Sequence, residues 1–103
     1  MTKVKTEKVF DDLEKSYPDV IAQMDYEFTS HDFIKKLSQL QQDLYTQVLN
    51  EYSGKGQPFR TVHSVIAKRL KNNWKHLVEH VDTDKSENIF GDDTDAAIWH
   101  KVG

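Results

Sequence analysis

The stretch RTVHSVIAKRLKNNWKHLVEHV, residues 60–81, decides how this chain folds. Val62, Val65, Ile66, Leu70, Trp74, Leu77, Val78 and Val81 recur at three- and four-residue steps, the period of an amphipathic helix. The pattern is plainest from Arg60 to Leu70. Asn72-Asn73 interrupts it, because asparagine competes for backbone hydrogen bonds and tolerates left-handed geometry. Two readings stand: one helix continuing to Val81, or a helix that breaks at the asparagines and starts again.

Upstream lies a more regular element. Thr29 or Ser30 can cap a helix, with Asp32 in its first turn where the dipole favours a carboxylate. Phe33, Ile34, Leu37, Leu40, Leu44, Tyr45, Val48, Leu49 and Tyr52 follow at helical spacing and stop at Ser53-Gly54. Unbroken, that helix has about 23 residues and a length of about 34 Å. Residues 54–58 form a connector. Before it, Val9, Phe10, Leu13 and Tyr17 predict a helix over about residues 4–16, ended by Pro18, which also opens a short turn from Asp19 to Met24. Residues 25–28 read as a short, extended connector.

The C-terminus changes character. Residues 82–95 are polar, with an apolar island at Ile89-Phe90, and residues 96–102 alternate in the manner of a strand. Asn88-Ile89-Phe90 is expected to pair with that strand across residues 91–95, and Trp74 is expected to pack on Trp99.

The chain has 103 residues, enough for one domain with a real core. With no cysteine, disulfides, thiolate metal sites and a cysteine nucleophile are excluded together. No apolar run approaches the roughly 18 residues that span a bilayer, and residues 1–8 hold no signal-peptide core. The expectation is a cytoplasmic protein without a membrane partner.

Charge carries the main functional hint. Between Tyr52 and Val78 stand Lys55, Arg60, Lys68, Arg69, Lys71 and Lys75 and not one Asp or Glu. All 17 carboxylates lie elsewhere, against eight Lys/Arg, in a chain of net charge −3. Such segregation suggests a surface that meets an anion, although an ordinary lysine-rich solvated face has the same composition. On a continuous helix Lys68, Lys71 and Lys75 fall opposite Val62, Ile66 and Leu70, with Ser64 in the same row, Arg60 nearby and Arg69 on the flank. The order of amphipathic helix, loop, basic helix and C-terminal hairpin resembles a winged helix-turn-helix. That resemblance implies a helix in the major groove and a hairpin along the backbone. It covers residues 30–103 and rests on no sequence signature. The hairpin tip, Asp92-Asp93-Thr94-Asp95, is acidic where such a domain would favour a basic one.

Three weaker motifs compete. His76-Leu77-Val78-Glu79-His80 has the spacing of an inverted zinc-peptidase motif, but needs a helix, a third ligand and a cleft. Asp82, Asp84, Ser86 and Asp93 occupy calcium-loop positions, but Glu87 stands where the sharp turn needs glycine. Gly54-Lys55-Gly56 lacks the rest of a phosphate-binding loop. His31 and His63 are expected to pack with one hydrogen bond each.

Together these readings predict a mainly α fold with a small C-terminal β-hairpin (α+β), winged-helix-like or otherwise a small helical bundle. It is one domain over residues 1–103: an N-terminal helical extension at 1–28, a helical core at 29–81, and an acidic loop and hairpin at 82–103. The expected function is non-enzymatic binding of DNA through Arg60, Ser64, Lys68, Arg69, Lys71 and Lys75, with no metal and no cofactor. An acidic protein is the other candidate for that surface. The alternative is a protein–protein or homodimer interface on Phe33, Leu37, Leu44 and Tyr45.

Overall fold

A computed structural model describes residues 5–52, 54, 56–87, 91 and 93–102, with backbone alone for 5–7, 87 and 93. Five helices precede a hairpin: α1 (Lys5–Glu14), α2 (Tyr17–Ala22), α3 (Ser30–Leu40), α4 (Gln42–Glu51) and α5 (Pro58–Asn73). The strands are β1 (Glu27–Thr29), β2 (Val78–Glu87) and β3 (Asp93–Lys101), antiparallel in the order β1-β3-β2. The α+β class with a C-terminal hairpin is therefore the observed one.

Residues 60–81 resolve into a single helix and then a strand. Pro58 pre-sets the first turn of α5, and the asparagines end it. The N–H groups of Leu77 and Val78 bond the Trp74 carbonyl at 2.9 and 3.0 Å, closing a turn that sends the chain into β2. No second helix follows Asn72-Asn73, so residues 74–81 supply no further helical turn.

The expected helix from 29 to 52 begins as read. Thr29 Oγ1 accepts from the Asp32 N–H at 3.1 Å, and Asp32 Oδ2 accepts from the Thr29 N–H at 3.0 Å, a reciprocal cap. It is not continuous, however. Gln41 leaves helical geometry (φ −125°, ψ 54°) and serves as the end of α3 and the start of α4. The bend turns Tyr45 and Val48 inward beside α1 and α5, while Leu40 is left 41% exposed.

The N-terminal segment is no extension. Val9, Phe10, Leu13, Tyr17, Val20 and Ile21 belong to the same buried cluster as Phe33, Leu37, Val48, Val62, Ile66, Leu70 and Trp99. The Tyr17 hydroxyl donates to the Ile66 carbonyl at 2.9 Å, and its ring meets Phe33 edge-on at 4.8 Å. Burying each such ring removes a large apolar area from water, which is the chief stabilising term of a fold this size.

The hairpin differs from the expected one. Its first strand is Val78–Glu87, read from sequence as helix end and acidic loop, whereas Asn88-Ile89-Phe90 lie outside the described residues. Gly91 has φ +85°, which the tip of the hairpin takes at no steric cost only because it is glycine. A bulge between His80 and Asp82 leaves Val81 turned to solvent. The connector at 25–28 contributes β1, and Phe28 pairs with Trp99. The two tryptophans do not pack together. Trp99 Nε1 donates to Ser30 Oγ at 2.9 Å, while Trp74 lies against Tyr17 and His76.

Candidate nucleic-acid interface

Helix α5 buries Val62, Ile66 and Leu70 and exposes Arg60, Ser64, Lys68 and Lys71 on its outer side. Lys75 is exposed in the turn that follows. From Arg60 to Lys71 the steps of four, four and three residues are those of one helical row, so the apolar demand of the core dictates which side these cations take; Lys75 lies beyond the end of α5. From Arg60 to Lys71 the row rises about 16 Å, the run of roughly five phosphates along one strand. Among the described residues, Arg60, Lys68, Lys71 and Lys75 make no ion pair. Arg60 Nη1 donates only a long hydrogen bond, 3.5 Å, to Gln57 Oε1.

Arg69 does not join this row, and this corrects the expected set. Its guanidinium turns to α1, where Nη1 donates to Asp11 Oδ1 and to Glu14 Oε2, each at 2.8 Å. It also lies over the Phe10 ring, 5.3 Å from the centroid. Only 22% of its side chain is exposed, so it serves α1–α5 packing. Glu14 accepts further bonds from Asn73 Nδ2 at 2.7 Å and Trp74 Nε1 at 3.0 Å. Asp11 and Glu14 are thus held at the α1 flank of α5, and neither pairs with the outer cations among the described residues. Lys55 lies outside the described residues.

The alternative interface is also corrected. Phe33 and Leu37 are fully buried, Tyr45 nearly so and Leu44 half-buried, all against this chain's own core. Their apolar stripe is taken up largely by packing with the N-terminal helices and α5.

Beside the basic row lies a groove of about 840 Å³ that no sequence pattern announces. Its walls are the first turn of α3 (Ser30, His31, Ile34), the N-terminal half of α5 (Phe59, Arg60, His63, Ser64, Ala67) and residues 94–97 of β3. His63 Nε2 and the Tyr45 hydroxyl are 2.7 Å apart. Burial, with a smaller contribution from the nearby His31, pushes the His63 imidazole down to about 4. Burial pushes the Tyr45 phenol up to about 12, so both are neutral near pH 7. His31 Nε2 lies 3.2 Å from Thr94 Oγ1, and its Nδ1 is buried with no partner. These residues come from segments far apart in sequence, so only the tertiary fold brings them together.

The metal motifs lose their geometry. His76 is in the turn after α5 and His80 is in β2, its ring 5.4 Å from Trp99, so the two histidines do not share a helix face. Asp82, Asp84 and Ser86 lie on extended β2 rather than in a loop. Among the described residues no group of three or more His, Asp or Glu stands together to hold a metal. Likewise, no helix among them is long and apolar enough to cross a membrane. Comparison of the chain with family models, curated proteins and solved structures gives no match.

Proposed function

We propose that the protein is a non-enzymatic binding module that holds nucleic acid, DNA first, on the outer row of α5. The observation that carries this reading is the row itself: Arg60, Lys68 and Lys71 exposed and aligned on α5, with Lys75 exposed in the turn that follows, all without ion-pair partners among the described residues. In a chain of net charge −3, three such cations on one helix face and a fourth just beyond its end form a local field that attracts polyanions. Ser64 and Asn72 add hydrogen-bond donors that suit phosphate oxygens. The order of α3, α4, α5 and then the β2–β3 hairpin resembles a winged helix, in which the helix before the hairpin faces the nucleic acid. With one arginine in the row, bidentate guanine contacts are few, and backbone charge supplies most of the affinity.

The test is binding to a labelled oligonucleotide at rising salt. Displacing counterions from about four phosphates gives a slope of about −3 to −4 in log affinity against log salt. Lys68→Glu plus Lys71→Glu abolishes binding in this reading. An unchanged curve for that double variant rules out the surface. Binding of an acidic protein with no affinity for any oligonucleotide replaces the partner.

A further inference from the structure

We propose that the groove beside α5 seats an unpaired nucleobase, so that the preferred partner is a single strand rather than a duplex. The inference rests on the reading above, since it concerns a strand already lying on the basic row. Arg60 and Ser64 belong to both features: they are exposed on the row and they line the groove. A backbone tracked along Lys71, Lys68 and Arg60 therefore passes the groove mouth, one nucleotide's reach from its interior.

The groove wall has the chemistry a base requires. Phe59 is 41% exposed, unusual for a phenylalanine, and its ring stands 6.1 Å from His63 at 66°. Ile34, Ala67 and Ala97 complete an apolar wall on which a flat ring can lie. The volume of about 840 Å³ falls in the ordinary range for small-ligand sites and exceeds what one base needs. His31, in the same wall, has a buried Nδ1 with an unmet hydrogen bond, a cost that a polar ring edge can relieve after a small rotation. The imidazole of His63 is neutral, and Asp95, the one carboxylate among the lining residues, is paired to Lys85 at 3.2 Å.

The hairpin argues against a duplex. In a winged-helix arrangement it would lie along the second backbone, yet Asp82, Asp84 and Asp95 are exposed on it, with Lys85 paired to Asp95 at 3.2 Å. Phosphates brought there meet like charge. A single strand needs only the α5 row and the groove, which avoids Asp82 and Asp84 and meets only Asp95, already paired to Lys85.

The experiment uses three labelled probes of about 12 nucleotides, a length suited to one small binding face. They are oligo(dT), a blunt duplex, and a strand of abasic sites with the same phosphates. Each is titrated against the wild-type chain and Phe59→Ala, with thermal melts confirming that the variant folds. Wild type binds oligo(dT) at least tenfold more tightly than either the duplex or the abasic strand. Phe59→Ala loses about tenfold on oligo(dT) and nothing on the abasic strand. Equal affinity for oligo(dT) and the abasic strand overturns the groove while leaving the basic row intact. Binding of none of the three probes removes the nucleic-acid reading, and the groove proposal with it.

Discussion

Lys68 and Arg69 are neighbours in sequence with opposite surroundings, the first exposed and the second held against α1, and neither side chain announces which. A helical wheel puts Arg69 on the flank of the basic row. What removes it from that row is Asp11 and Glu14, 58 and 55 residues earlier, which no local pattern connects to it. The difference is measurable. Arg69→Ala takes the partner from two short charge-assisted bonds that are mostly screened from water, at a cost of about 2 kcal/mol. Lys68→Ala removes an exposed cation that has no ion-pair partner among the described residues, and leaves stability within about 0.5 kcal/mol. Oligonucleotide affinity moves the other way, falling for Lys68→Ala and holding for Arg69→Ala at a temperature where both are folded. Denaturant melts paired with binding curves check both halves, and a loss of affinity in Arg69→Ala without unfolding contradicts the assignment.

Among the elements, those with a local chemical signal were readable and those made by tertiary pairing were not. The start of α3 is written in Thr29 and Asp32, a cap residue with a carboxylate three positions on. Thr29→Ala removes the side-chain half of that cap and should cost about 1 kcal/mol. Thr29→Ser keeps the oxygen and most of the stability. Equal melting temperatures for the alanine variant and wild type would show that the cap contributes nothing. The bend at Gln41 has no such signal: there is no proline or glycine there, and the break serves the inward turn of Tyr45 and Val48. Strand β2 was harder still. Within VEHVDTDKSE only Val78 is buried among the residues whose side chains are described, and the remainder reads as solvated loop. It is a strand because β3 presents an edge along which it can pair, from Val78↔Lys101 to Glu87↔Asp93. Charged residues suit an edge strand, since they discourage pairing with another chain.

For the whole molecule, the charge block was legible from composition, and its contiguity follows from α5 being one helix that must bury Val62, Ile66 and Leu70. The groove was not legible, because three segments contribute to it. Nor was a three-stranded sheet, since β1 has three residues and is defined by its partner across Phe28 and Trp99. The resulting charge map sets a basic helix row near an acidic hairpin, and these have opposing effects on any polyanion. At about 10 Å in water, each hairpin carboxylate repels a phosphate by about 0.4 kcal/mol. Asp82 and Asp84 use Oδ1 to accept the N–H of the next residue, an arrangement that asparagine can keep. Asp82→Asn plus Asp84→Asn should therefore preserve the hairpin and raise duplex affinity by roughly fourfold at low ionic strength. The gain should fade toward nothing near 1 M salt, where the Debye length falls to about 3 Å. Oligo(dT), which in the proposed mode does not run along the hairpin, should gain less. An equal gain for both probes would place the strand against the hairpin after all, and a gain that survives high salt would mean the substitutions act through contact rather than through the field.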